Sequence, residues 1–137
     1  SQIQKLFDAC ATDLERAVLS VYYGCGLRRH EGQELLLSDI DFNKWIIVVR
    51  KGKYNKRREV PIADSMKSCF SQFKEINHTN LKLTSEQVPF LVDKYSTRLT
   101  GARAYNLIKR LAIKAGIHVL KLLEEIFKPL IIKLRGF

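Results

Sequence analysis

Apolar residues fall at helical spacing in two short blocks at the start of the chain. The first is Ile3, Leu6, Phe7 and Cys10, and the second is Leu14, Ala17, Val18, Val21 and Tyr22. Recurrence at three and four residues is what a helix with one buried face produces. Thr12 and Asp13 stand between the blocks, where short oxygen-bearing side chains cap a helix start. Two short helices are predicted, broken by Gly24 and Gly26. A third helix is predicted over 30–37. It is followed by a turn at Ser38-Asp39-Ile40-Asp41, whose short polar side chains bond back to the local backbone.

The pattern then changes. Trp45-Ile46-Ile47-Val48-Val49 is aromatic and β-branched and predicts a strand. A polar segment with one glycine, residues 51–56, leads into Arg57-Arg58-Glu59-Val60-Pro61-Ile62. That second run is a weak strand by itself, but beside the first it completes a β-hairpin with a basic tip. Met66, Cys69, Phe70 and Phe73 mark a further helix, residues 77–89 read as loop, and Phe90-Leu91-Val92 as a short extended piece. Ala104, Leu107, Ile108 and Leu111 mark a helix stopping near Gly116. Val119, Leu122, Leu123 and Ile126 form one more apolar face, which Pro129 closes, and Leu130–Phe137 is an apolar-basic tail. The expected fold is mainly α with a small antiparallel β-sheet.

Charge narrows the choice of partner. The 137 residues carry 24 Lys and Arg against 14 Asp and Glu, a formal net charge of +10. Such an excess favours a polyanion, either nucleic acid or an anionic membrane face, and says nothing about fold. Three cysteines, Cys10, Cys25 and Cys69, do not make a disulfide framework. Reduced thiols and a cytoplasmic location are the simpler expectation. The apolar run at 45–49 is far short of the roughly 20 residues of a membrane span, and no signal-peptide pattern opens the chain. Asn77-His78-Thr79 fits the glycosylation pattern, which carries no meaning in the cytoplasm.

Three segments carry candidate chemistry. Gly26-Leu27-Arg28-Arg29-His30-Glu31 lies between two predicted helices, so Arg28 can point away from the scaffold. A planar guanidinium suits a phosphate because it donates two parallel hydrogen bonds. The second segment is Leu35 with Ser38-Asp39-Ile40-Asp41. The third is Gly52-Lys53-Tyr54-Asn55-Lys56-Arg57-Arg58-Glu59-Val60-Pro61, within which Lys53 is an ammonium near an exposed tip. Six of the nine residues from Arg50 to Arg58 are basic, which concentrates positive potential on one edge. Each feature has an ordinary reading too: a solvated arginine, a solvated basic turn, an acid favoured in a first helical turn. His30-Glu31-Gly32-Gln33-Glu34 lacks the second histidine of a zinc-protease helix, and the cysteines and histidines lack zinc-ligand spacing.

In order and spacing, these segments resemble the tyrosine recombinases of the phage integrase family. The run Tyr22-Tyr23-Gly24-Cys25-Gly26-Leu27-Arg28 with Glu31, Leu35 and Ser38-Asp39-Ile40-Asp41 is similar to that family's first box, and the stretch from Gly52 to Pro61 resembles its lysine hairpin. The resemblance covers about residues 1–117. It implies a catalytic-domain fold of that family in 1–117, followed by a divergent tail in 118–137. It also implies site residues: Arg28 on the scissile phosphate, Lys53 donating a proton to the leaving 5′ oxygen, and Glu31 supporting the site. Arg50, Lys51, Lys56, Arg57 and Arg58 would contact double-stranded DNA. The family cuts through a 3′-phosphotyrosyl link and needs no metal or other cofactor, so DNA integration or recombination within a mobile element is the implied setting.

The second family box, with its histidine and arginine, should follow Ile117. Ile117-His118-Val119-Leu120-Lys121 offers a histidine but puts lysine in the arginine's place, whereas Ile132-Lys133-Leu134-Arg135 keeps the arginine without the histidine. The five tyrosines, Tyr22, Tyr23, Tyr54, Tyr95 and Tyr105, all precede the place of the nucleophile. The expectation is a DNA-binding portion of a recombinase that is inactive alone, its tail truncated, frame-shifted or engineered and able to self-associate or meet a partner chain. A chain completed by another subunit is one alternative. A basic RNA- or anionic-membrane-binding module is the other.

Overall fold

The computed structural model describes residues 2–78 and 88–127. Six helices, α1 (Gln2–Ala9), α2 (Asp13–Leu19), α3 (Arg29–Glu34), α4 (Asp64–His78), α5 (Gly101–Ala115) and α6 (Val119–Ile126), accompany a three-stranded antiparallel sheet in the order β1 (Ile40–Asp41), β2 (Ile46–Val49), β3 (Arg58–Pro61). The mainly α fold with a small antiparallel sheet is thus present. The centre of the predicted loop at 77–89, the helix end at Pro129 and the tail at 130–137 lie outside the described residues.

Thr12 caps α2 by a reciprocal pair: its hydroxyl accepts from the Glu15 N–H at 3.1 Å, and the Glu15 carboxylate accepts from the Thr12 N–H at 3.0 Å. The pattern break expected at Gly24 and Gly26 occurs only at the second. Gly24 closes a wide π-turn, Ser20–Gly24, that prolongs α2, and Gly26 alone turns left-handed, with φ +69°. The third helix is shorter than predicted. It ends at Glu34 because Leu35 is extended, and its terminal carbonyls are taken by two arginines. Arg98 Nη1 donates to Gln33 O at 2.6 Å, and Arg50 Nη2 donates to Glu34 O at 2.7 Å. Trp45, expected in the strand, instead sits in the turn before β2 with φ 57°.

One core joins all of this. Ala17, Val18 and Val21 on the α2 side meet Ala104, Ile108 and Leu111 of α5, each at most 1% exposed. Ile47 and Val49 of β2 point into the same core, in strict alternation with Ile46 and Val48. Phe90 lies between Phe70 and Phe73 of α4, with centroids 5.6 and 5.2 Å away, and its carbonyl binds His78 Nε2 at 2.9 Å. This cluster anchors the returning segment at 88–92. Helix α6 packs on α5 through Leu122, Leu123 and Ile126, and Phe127 stacks between Tyr22 and Tyr105 at 5.5 and 5.3 Å. Packing is therefore continuous across Ile117, through residue 127. The three cysteines are free, and burial pushes the Cys10 and Cys25 thiols up to about 11, away from the reactive thiolate.

Candidate functional site

After the left-handed turn at Gly26 the chain leaves the π-turn, and Arg28, in extended backbone, becomes the residue before α3. Three residues on, one helical turn brings Glu31 back beneath it. The Glu31 carboxylate accepts the Arg28 backbone N–H at 2.7 Å and Arg28 Nη1 at 3.1 Å. The hairpin supplies the other side. Val49 and Arg58 are directly paired across β2 and β3, and Arg58 and Val60 are the half-buried residues of β3 while Glu59 and Pro61 face outward. Strand alternation thus turns Arg58 inward, toward α3. Its guanidinium forks onto Glu31, Nη1 to Oε2 at 2.5 Å and Nη2 to Oε1 at 2.9 Å.

Each Glu31 oxygen consequently accepts two hydrogen bonds, and the carboxylate is saturated. The Glu31 side chain is 4% exposed, against 36% for Arg28 and 34% for Arg58. Desolvation raises its pKa, but the hydrogen bonds from Arg58 and Arg28 and their charges outweigh that and hold the carboxyl below its ordinary range. Glu31 also raises the Arg58 pKa further. With four hydrogen bonds on its two oxygens, the ionised Glu31 carboxylate orients both guanidinium groups. Two guanidinium charges against one carboxylate leave the site net positive.

Arg28 and Arg58 share the wall of a cavity of about 430 Å³ with Tyr22, Tyr23, Gly26 and Leu27, and with Glu125 and Ile126 of α6. The hairpin tip stands beside it. A Cβ placed on Gly52 would lie 2.8 Å from Arg58 Nη1 and 3.5 Å from Glu31 Oε2. The backbone of Lys53, the next residue, opens the turn Lys53–Asn55 at that tip, in which Tyr54 and Asn55 take left-handed φ values of 59° and 62°.

The hairpin cations divide into two groups. Lys51, Lys56 and Arg57 are exposed, Arg57 with a surface pairing to Glu59 at 3.2 Å. Arg50 is a clamp: its Nε donates to both oxygens of Asp39 at 2.9 and 3.0 Å. Asp39, 8% exposed, also accepts the Leu36 N–H at 2.9 Å. Arg58 belongs to the Glu31 cluster. Sequence reasoning placed both arginines among surface DNA contacts and missed the Arg58–Glu31 fork and the Arg50–Asp39 clamp. The signal for Arg58 was its place two residues before Val60, on the same strand face. For Arg50 the sequence holds no such signal. His118 accepts the Lys121 N–H at 3.2 Å as the cap of α6, and neither residue lines the cavity. The other segment compared with the second box, Ile132–Arg135, lies outside the described residues.

Comparison with known proteins gives the family of the fold. A family model described as the phage integrase family matches residues 1–126. The tyrosine recombinase XerA of Pyrococcus horikoshii is 27% identical over 122 residues, covering 86% of this chain and 40% of that protein. The XerA of Thermococcus kodakarensis is 34% identical over 106 residues, covering 77% of this chain and 36% of that protein. A crystal structure of XerA recombinase superposes with a TM-score of 0.73 at 26% identity, covering 85% of this chain and 41% of that one. The chain spans about two-fifths of the length of these relatives.

Proposed function

Because the chain belongs to the phage integrase family, we propose that it binds the phosphate backbone of duplex DNA as part of the catalytic domain of a tyrosine recombinase. The observation that carries this reading is the pair Arg28 and Arg58, held by one buried carboxylate on the wall of one cavity beside a basic hairpin. Arg28 keeps free N–H groups for a phosphodiester, where a guanidinium offsets the charge of the transition state. Glu31 fixes it. Lys53, at the tip adjoining the cavity, donates the proton to the leaving 5′ oxygen. Lys51, Lys56 and Arg57 contact flanking phosphates. Nothing observed favours a membrane or RNA partner. Among the described residues no helix is long and apolar enough to cross a membrane.

Binding driven by phosphate contacts releases counterions, so its log–log salt slope is about −0.9 per phosphate neutralised. Replacing Lys51, Lys56 and Arg57 together with alanine should make that slope shallower by about 2 to 3. Fluorescence anisotropy with a duplex at several salt concentrations measures it. Equal losses from the exposed trio Lys5, Lys109 and Lys114 would remove the case for the hairpin.

The chain alone is expected to bind without cutting. Tyr22 is buried, its hydroxyl donating to Arg29 O at 3.1 Å, and burial raises its pKa. Tyr105 packs against Phe127 and under Arg29, while Tyr54 and Tyr95 are 81% and 75% exposed. A nicked suicide duplex should trap no covalent adduct. An adduct mapped to Tyr23, the remaining tyrosine on the cavity wall, would overturn this expectation.

A further inference from the structure

We propose that Arg58 is a positioning residue that sets the Arg28 guanidinium toward a bound phosphate by holding Glu31, which joins the hairpin mechanically to the phosphate site. The inference deepens the reading above and rests on it. Three observations carry it. First, Arg58 spends its Nη1 and Nη2 on the same two oxygens that bind Arg28, so the orientation of the carboxylate, and with it that of Arg28, is fixed from the hairpin side. A lysine in this place keeps the charge but cannot fork across both oxygens.

Second, the fork explains the glycine before Lys53. A side chain on Gly52 would stand 2.8 Å from Arg58 Nη1 and 2.8 Å from the Lys56 carbonyl. That carbonyl accepts the Gly52 N–H at 2.8 Å. The bare backbone therefore leaves room for the guanidinium to pass beneath the hairpin tip. Third, the fork touches both sides: Gly52, the residue before Lys53, stands against Arg58 and Glu31, and Arg58 shares the cavity wall with Arg28. Displacing the tip would pull on Glu31, and an ordered Glu31 holds the tip in place. Position governs the worth of such groups, since small misplacements of a phosphate ligand are expensive.

The test uses the intact chain, inorganic phosphate as the probe and nitrogen-15 NMR of arginine side chains, with the Arg28 Nε–Hε signal assigned by Arg28→Lys. Wild type should show a saturable phosphate-dependent shift of that signal. Arg58→Lys should weaken phosphate by about fivefold and, without phosphate, free the Arg28 guanidinium to rotate, because the fork is lost while the charge stays. Gly52→Ala should act in the same direction with no change of charge, and it gives the answer should Arg58→Lys fail to fold. Unchanged affinity and unchanged Arg28 ordering in the variants would overturn the proposal. So would weakened phosphate with Arg28 still ordered, which would make Arg58 a direct ligand. If wild-type Arg28 does not respond to phosphate, the phosphate-binding reading itself falls, and this proposal with it.

Discussion

Glu31→Gln should lower the stability of the chain by about 3 kcal/mol at neutral pH, the scale of breaking a buried ion pair from one side. A glutamine oxygen can serve one guanidinium, but its NH2 group then faces the other. Arg28 and Arg58 would be left as close like charges around a group only 4% exposed in the native chain. Both arginines are about one-third exposed, so water relieves part of this, and the upper end of the usual range is not expected. Folding lowers the Glu31 pKa: burial opposes ionisation, and the bonds from Arg58 and Arg28 prevail. The unfolded chain therefore takes up this proton more readily than the folded one. The stabilisation is complete above the unfolded value, about 4.3, and declines as pH falls through the lower folded value. Urea titrations of wild type and Glu31→Gln should show a gap that is constant from about pH 6 to 8 and closes progressively below about pH 4. A gap that widens on acidification would show that the cluster does not hold an ionised carboxylate.

Gly32→Ala should destabilise the chain by about 2 kcal/mol, the severe end of overpacking less the propensity gain, even though alanine is the better helix former. Helix propensity favours the change by roughly 1 kcal/mol. Against that, a Cβ at position 32 would lie 2.3 Å from both Cζ and Oη of Tyr22, and overpacking of this kind costs about 1–3 kcal/mol or more. Tyr22 has little room to yield. It is 1% exposed, bonded to Arg29 O, and packed against Phe127, which follows α6. The clash therefore wins, and its effects reach both the cavity wall and α6. Tyr22→Leu alone loses packing, but in the double variant it makes space for the methyl group. Thermal melts of both single variants and the double variant should give a sum clearly worse than the pair measured together. Additive losses would show that α3 and Tyr22 do not meet as described.

The Gly32 contact is also an instance of what a linear pattern cannot convey. Gly32 reads in the sequence as a mild defect in a helical stretch. Its reason is a ring that reaches it from the preceding π-turn. Trp45 misled for a related cause. Its aromatic, β-favouring character assigns it to the strand, yet its φ of 57° places it in the turn, where Ile62 N–H donates to its carbonyl at 2.9 Å. The local preference was overridden by the pairing of Ile46 with Pro61 that sets the register of β2 on β3.

By itself the sequence determined the helices, the hairpin and the family, because period, caps and motif spacing are local and each is written in a few adjacent residues. The family resemblance also implied that Arg28 and Glu31 belong to one site, and the start of α3 brings the Glu31 carboxylate onto Arg28. The tertiary structure decided which of the hairpin's cations face water. Arg50, Lys51, Lys56, Arg57 and Arg58 are chemically alike in sequence, and what separates them is the position of acids far along the chain. Asp39 captures Arg50 from 11 residues away, and Glu31 captures Arg58 from 27. A charge finds its partner in space, and only after β2 and β3 have paired and turned one face inward does Arg58 arrive beside Glu31.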